Sequence, residues 1–295
     1  MPQLIYFIVN ARIGEKNILR LRNAIQLHLL HIPYEIHVTE YGGHATLLAQ
    51  EAVAKKIQTV VAVGGDGTVN EVIQALVNTN ISLGIVPTGS GNGLARHCSI
   101  PIHLEDAVEL LYSGHAIPID LGKANEIYFI SNAGVGFDAV VCNTIKLTKS
   151  RGLKMYVKQV IANYFSYRAD TYTIQIDGQK ITQKAFFLNV ANGKEFGYGF
   201  QIAPNATLQD GLLDLILVKK INPLLGLKFV WDGWRKKLNH NTNCIYHRGK
   251  LIRIQGNALQ YFQTDGDAHT CDGECLFQVY PKALQIIVPH TLHKL

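Results

Sequence analysis

Along the first 120 residues, short apolar runs alternate with longer amphipathic stretches. Residues 6–10 read as a strand, 16–30 as an amphipathic helix, 35–39 as a second strand and 44–56 as a second helix. Two further apolar runs, 61–63 and 83–86, each stop at clustered glycines and then turn amphipathic, the pattern of strand, tight turn and helix. This alternation predicts a parallel sheet wound with helices. After Asp120 the pattern becomes a series of short strand candidates, at 127–132, 171–176, 186–190, 213–218, 251–255, 260–264, 276–280 and 284–288. Turn signals separate them, among them Asp177-Gly178, an apt hairpin dipeptide. One helical stretch, 152–167, interrupts them. The expected fold is therefore an α/β N-terminal domain over 1–122 and a β-rich sandwich over 123–295, with no internal repeat.

The glycine-rich turns carry the candidate chemistry. The first is Gly64-Gly65-Asp66-Gly67-Thr68-Val69-Asn70-Glu71, the second Pro87-Thr88-Gly89-Ser90-Gly91-Asn92-Gly93. Such a turn bares backbone N–H groups at the positive end of a helix, where phosphate binds well. Two in tandem suggest a nucleotide site. A carboxylate beside phosphate is repulsive unless it holds a cation or orients a nucleophile, so Asp66 implies Mg²⁺. Walker A, GxxxxGK[ST], is absent. Gly134-Val135-Gly136-Phe137-Asp138-Ala139 fits the loose dinucleotide pattern. An acidic residue about twenty positions on is missing, however, and Lys158 and Gln159 stand there, so a structural glycine turn is the better reading.

Composition narrows the classes. The 295 residues are 47% hydrophobic and 17% charged, as in ordinary globular proteins. No apolar run approaches the ~18 residues of a membrane span. The stretch 212–234 comes nearest, interrupted by Lys219, Lys220, Asn222 and Pro223, and the apolar segment 4–9 reads as a first strand rather than a signal peptide. Cys98, Cys142, Cys244, Cys271 and Cys275 form no CxxC pair, which favours a reduced, cytoplasmic protein. His269, Cys271 and Cys275 lack zinc-site spacing, and the terminal His293-Lys294-Leu295 is not read as a targeting address. Net charge is +6, concentrated at Lys146, Lys149, Arg151, Lys154 and Lys158 and again at Arg235, Lys236 and Lys237. The second cluster follows Phe229, Trp231 and Trp234, a mixture suited to an anionic membrane surface, with a solvated helix face as the simpler alternative. No nucleic-acid recognition motif accompanies either cluster, so nucleic acid is not an expected partner.

The order of these motifs resembles the diacylglycerol kinase catalytic-domain family, which includes sphingosine kinases and bacterial soluble lipid kinases; NAD kinases and phosphofructokinases share the Gly-Gly-Asp-Gly-Thr turn more remotely. Asn10-Ala11-Arg12-Ile13-Gly14 resembles the family's first phosphate turn, Asn-Pro-x-Ser-Gly, with the proline and serine lost. Thr39 matches its nucleotide-contacting threonine and Ser90 the hydroxyl of its second loop. Asp120-Leu121-Gly122, Asn132-Ala133-Gly134, Ala203-Pro204 and Asp210-Gly211-Leu212-Leu213-Asp214 continue the series. The resemblance implies nucleotide binding by Asn10 through Gly14, Thr39, Gly64, Gly65, Asp66, Gly67, Thr68, Val69, Asn70, Gly89, Ser90 and Asn92. It implies a structural Mg²⁺ on the Asp210 carboxylate and the carbonyls of Thr207 and Leu212, and a lipid-headgroup contact at Asp120.

The family's general base is the glutamate of an Asp-Gly-Glu triplet after a late strand. Asp265-Gly266-Asp267 has the leading strand but aspartate in place of glutamate; Asp272-Gly273-Glu274 is the literal triplet but abuts the next strand. Asp267, with Asp265 beside it, is the favoured catalytic group, because the leading strand fixes where its carboxylate points. Its side chain is shorter by one C–C bond, about 1.5 Å, a misplacement large enough to lower the rate. The implied activity is ATP-dependent phosphorylation of a lipid hydroxyl, diacylglycerol-like or sphingoid, in an interdomain cleft. The lipid would be met at the membrane surface by a cytoplasmic or peripheral protein, its chain in an apolar slot of the β domain. A homodimer is left open. The alternatives are an NAD kinase and a catalytically impaired nucleotide- or lipid-binding homologue.

Overall fold

The computed structural model describes residues 4–148, 153–197, 199–220 and 222–292. Lys149 and Arg151 of the first basic cluster and the terminal 293–295 lie outside them. The chain divides into two compact units, residues 1–120 with 281–295, and residues 121–280.

In the first unit, β1 (Ile5–Val9), β2 (Tyr34–Val38), β3 (Thr59–Gly64) and β4 (Ser82–Pro87) form a parallel sheet in the order β2-β1-β3-β4. Every residue of β1 and β3 is buried, as expected for central strands covered on both faces. The crossovers are α1 (Gly14–His28), α2 (His44–Ala54) and α3 (Asp66–Leu76), followed by the short α4 (Gly93–His97) and α5 (Leu104–Ser113). Helices α1 and α5 cover one sheet face: Leu21, Ala24 and Ile25 with Leu104, Ala107 and Val108 pack on Phe7, Val9, Val61, Val63 and Val86. Register aligns Val9 with Val38 and Val63, and Gly64 with Pro87, so the strands end at one edge. The winding direction reverses between β1 and β3, and in such sheets ligands bind at the carboxyl ends beside that reversal. Strand β5 (His115–Ala124) carries the chain out of the unit.

The second unit is an antiparallel sandwich. It contains β6 (Ile127–Phe129), β7 (Asn132–Gly136), α6 (Phe137–Lys146), α7 (Leu153–Tyr164), β8 (Asp170–Ile176), β9 (Gln179–Ala185) and β10 (Phe187–Ala191). There follow β11 (Glu195–Gly197), β12 (Phe200–Gln201), β13 (Leu213–Val218), α8 (Pro223–Trp234), β14 (Cys244–Gly249), β15 (Leu251–Gly256), β16 (Tyr261–Thr264) and β17 (Asp267–Thr270). One sheet runs β14-β13-β10-β7-β16-β17; β15, β8 and β9 belong to the other. Val135, Leu188, Leu215 and Leu217 meet Tyr172, Ile174, Ile252 and Ile254 in the core between them. Asp177 and Gly178 take φ of 46° and 91° at the β8–β9 turn, the left-handed pair that a two-residue hairpin requires.

Two readings are corrected here. The strands expected at 276–280 and 284–288 are one, β18 (Glu274–Val288), whose second half runs parallel to β4 with Gln285 opposite Ser82. That pairing returns 281–295 to the first unit, away from the second domain in which the sequence places them. The glycine turn at 134–139 is the end of β7 and the start of α6, with Gly136 at φ 94°. Finally, β9 and α8 were not expected. The first, Gln-Lys-Ile-Thr-Gln-Lys-Ala, is mostly exposed and polar, and the second is apolar on two faces, which blurs its helical period.

Candidate functional site

At the carboxyl edge of the parallel sheet, Asn10, Thr39, Gly65 and Thr88 follow the four strands directly. Hydrogen bonds knit them. Asn10 Nδ2 donates to Thr68 Oγ1 at 2.8 Å, its Oδ1 accepts the Arg12 N–H at 3.0 Å, and Thr39 Oγ1 accepts the Ala11 N–H at 3.3 Å. Asn10 thereby caps the 3-10 turn Ala11–Ile13, which turns into α1 at Gly14, where φ is 77°. Thr39, Thr68, Val69 and Asn92 are buried; Ala11, Arg12, Gly14, Gly67, Gly89 and Ser90 are exposed. Asn70 Oδ1 accepts from Gln74 Nε2 within α3.

The two glycine turns are joined to each other. Asp66 Oδ2 accepts the Asn92 N–H at 2.9 Å and its Oδ1 the Gly93 N–H at 2.7 Å, so an exposed carboxylate at the start of α3 also caps α4. Thr88 N–H donates to the Gly64 carbonyl, Gly89 N–H to Asn92 Oδ1 and Asn92 Nδ2 to the Gly89 carbonyl. The turns touch so closely that a Cβ on Gly89 would stand 2.6 Å from the Gly65 Cα, and one on Gly65 3.1 Å from the Gly89 Cα. Gly65 and Gly89 are thus required for loop-to-loop contact, whereas a Cβ on Gly67 would meet nothing within 4 Å.

In the second unit, Thr264 and Asp267 face each other across a hairpin whose turn residues Asp265 and Gly266 have φ of 48° and 89°. Asp267 opens β17 and is exposed. Asp265, expected beside it as a catalytic group, does something else. Its Oδ1 accepts the Ser131 and Asn132 N–H groups and its Oδ2 that of Ile130, at 2.9–3.1 Å, which binds the hairpin to the start of β7. Beneath lies a buried polar network that local sequence does not reveal. Gln263 donates to Asn132 Oδ1 at 3.0 Å and Asp138 Oδ2 at 3.3 Å, and its Oε1 accepts the Gly266 N–H at 2.9 Å. Burial pushes the Asp138 carboxyl up to about 7, against the lowering effect of the N–H groups of Ala139 and Gln263. Lys146 donates to the Ala268 carbonyl and Thr264 Oγ1 bonds His269 Nε2, holding β17 from both sides. A cavity of about 420 Å³ beside β17 is lined by Ile127 and Phe262 with Asn143, Lys146 and His269.

The rival triplet is differently engaged. Glu274 pairs with Gln255 in the β15–β18 register; its Oε1 is bonded by Arg253 and its Oε2 accepts from Gln255 Nε2 at 2.5 Å. Asp120 is 1% exposed and its Oδ1 accepts the Lys282 N–H at 2.8 Å, where the chain re-enters the first unit.

The Asp210 carboxylate expected to hold a structural Mg²⁺ is engaged by protein groups here. Asp210 Oδ1 accepts the Leu212 N–H at 3.1 Å and its Oδ2 is bonded by the Arg248 guanidinium, which also reaches Asp214 at 3.1 Å. The Arg248 guanidinium thus stands against Asp210. Burial raises the Asp214 pKa and Arg248 opposes the rise. Thr207 is half-buried on the preceding loop.

A wound sheet with glycine-rich turns at its carboxyl edge, followed by an antiparallel sandwich, defines a family. Residues 4–124 match the diacylglycerol kinase catalytic domain and 131–288 the YegS C-terminal NAD kinase beta sandwich-like domain. The chain belongs to the diacylglycerol kinase catalytic-domain family, and this membership supports a kinase role. It is 32% identical to the "Probable lipid kinase YegS-like" of Yersinia enterocolitica over 98% of either chain. It is 28% identical to the diacylglycerol kinase of Bacillus subtilis over 78% of each. The crystal structure of a diacylglycerol kinase from Bacillus anthracis has the same fold, with a TM-score of 0.80 and 24% identity over 98% of both chains.

Proposed function

We propose that this chain is an ATP-dependent lipid kinase that transfers the γ-phosphoryl group of MgATP to the hydroxyl of a diacylglycerol-like or sphingoid lipid. The observation that carries the reading is the Asp66 tie between the two glycine turns, which holds the start of α3 and the second turn in one arrangement at the sheet's carboxyl edge. Helix α3 presents its N-terminal N–H groups there, where anionic phosphate is favoured. Asp66 uses two of its roughly four lone-pair sites on N–H groups, so the others remain for the Mg²⁺ that arrives with the nucleotide. When bound, that ion would screen the negative charge that develops during phosphoryl transfer.

Asp267 accepts the proton of the lipid hydroxyl as its oxygen attacks the γ-phosphorus; the bond to the β-phosphate oxygen breaks and MgADP leaves. Among the described residues no side-chain hydrogen bond or ion pair engages the Asp267 carboxylate, whereas Glu274 is held by Arg253 and Asp265 by three N–H groups. The protein meets its lipid at the membrane surface from the cytoplasm. Radiolabelled ATP with a panel of neutral diradylglycerols, sphingoid bases and NAD tests the reading. Label in a lipid supports it; label in NAD, or nucleotide binding without turnover on any acceptor, refutes it.

A further inference from the structure

Helix α8 has two apolar faces. The inner one packs on its own unit: Phe229 lies 5.9 Å from the Phe200 ring, and a Cβ on Gly233 would stand 2.2 Å from that ring, so only glycine fits. The outer one is exposed and meets no partner among the described residues. Leu227, Val230, Trp231 and Trp234 follow the i, i+3, i+4, i+7 spacing of one helical stripe and are 74%, 37%, 59% and 51% exposed. The chain has only two tryptophans, and both stand here. Tryptophan is highly buried on average, so placing both in water on one stripe requires a reason.

Exposed cations border the stripe: Lys228 stands beside it on the helix, and Arg235, Lys236 and Lys237 follow the helix end. The helix's one acid, Asp232, is turned to Asn241 Nδ2 at 3.0 Å. A ring-to-ring chain from Phe229 through Phe200 and Phe196 reaches Tyr156 on α7. That helix repeats the design, with Val157 and Ile161, then Phe165 just beyond its end, 47%, 62% and 77% exposed and Lys154 and Lys158 beside them.

We infer that the outer face of α8 docks on an anionic lipid bilayer, its indoles lying at the headgroup boundary and its cations against lipid phosphates. Indoles favour that boundary, and lysines bordering an apolar stripe are attracted by negative surface charge. A second copy is the poorer occupant, since it would bring another net charge of +6 to the same cations. No helix among the described residues is long and apolar enough to cross a membrane, so the contact lies in the interface plane. The inference rests on the lipid-kinase reading, for which it supplies the surface where the acceptor is met.

Because both indoles stand on the stripe, intrinsic fluorescence reports the contact in the unmodified protein. Vesicles of phosphatidylglycerol and phosphatidylcholine should shift its emission to the blue, shield it from acrylamide and sediment the chain; pure phosphatidylcholine should not. Raising salt from 0.1 to 1 M shortens screening from about 10 to about 3 Å and should release it. Trp231→Ala with Trp234→Ala should lower partitioning at least about tenfold. Lys228→Glu with Arg235→Glu keeps the indoles and should do likewise. Absence of shift and sedimentation with anionic vesicles overturns the inference, as does equal binding to neutral ones. A lipid-free blue shift that tracks dimerisation assigns the face to a second copy. Transfer to a short-chain, monomerically dispersed diacylglycerol reads the kinase reading alone, and both double variants should retain it.

Discussion

Asp66 Oδ2 accepts the Asn92 N–H at 2.9 Å across 26 positions of sequence. Between them β4 must cross the sheet and return, so this one bond reports that both glycine turns have reached the same place. It also explains how two turns that would otherwise move separately can be set for one ligand before it arrives. Asp66→Ala should lose roughly 100-fold or more in phosphoryl transfer, because the misplaced second turn no longer matches the phosphates. Lost capping should cost about 1–2 kcal/mol, read from denaturant unfolding. A rate within about threefold of the parent, assayed with saturating MgATP, would refute the assignment.

The close approach of Gly65 and Gly89 separates glycines that matter for contact from one that does not. Gly89→Ala should weaken nucleotide binding at least about tenfold by calorimetry, since its Cβ meets backbone on the facing turn. Gly67→Ala has open space and sits in the first turn of α3, where alanine is the better helix former. Its melting temperature should hold or rise. Equal sensitivity of the two positions would mean that the turns do not act as a joined pair.

Only one of the two late carboxylates should be essential to turnover. Asp267→Asn should reduce kcat by about 100- to 10,000-fold with little change in nucleotide affinity, the range for loss of a general base. Glu274→Gln should keep turnover and change stability by under about 1 kcal/mol, since its partly exposed pair with Arg253 is a surface ion pair. Asp267→Glu, which restores the longer side chain, tests how well the hairpin backbone compensates. The reverse ranking of Asp267→Asn and Glu274→Gln would transfer the role to Glu274.

The buried acid beneath the hairpin should leave a signature in stability against pH. The Asp138 carboxyl is held up to about 7, and an unfolded aspartate titrates near ~4. Between those values the folded chain keeps a proton that the unfolded chain releases, so this contribution is complete below about pH 4. It should be lost as pH rises toward 7 and be absent above it. The loss is on the order of a few kcal/mol. Asp138→Asn cannot titrate and should flatten that component; unfolding measured from pH 4.5 to 8.5 on both proteins would reveal parallel curves if Asp138 is already ionised when folded.

What could be read in the chain itself was whatever one short segment dictates. Apolar runs stopping at glycine located β3, β4 and the turns after them. Asp177-Gly178 announced a hairpin because those residues tolerate positive φ. The polar β9 and α8, apolar on two faces, gave no single clear stripe, and so escaped. Partners were decided only by folding. Arg248 stands 38 positions from Asp210, and strand register brings the cation where the motif implies a metal. Likewise the β15–β18 register gives Glu274 to Arg253, while Asp267, at the tip of its own hairpin, keeps a carboxylate that accepts no bond among the described residues. Local turn chemistry is written in neighbouring residues and survives any tertiary arrangement. Which carboxylate meets a cation, a backbone N–H or water depends on strands far apart in sequence, whose register is set by burying their apolar faces.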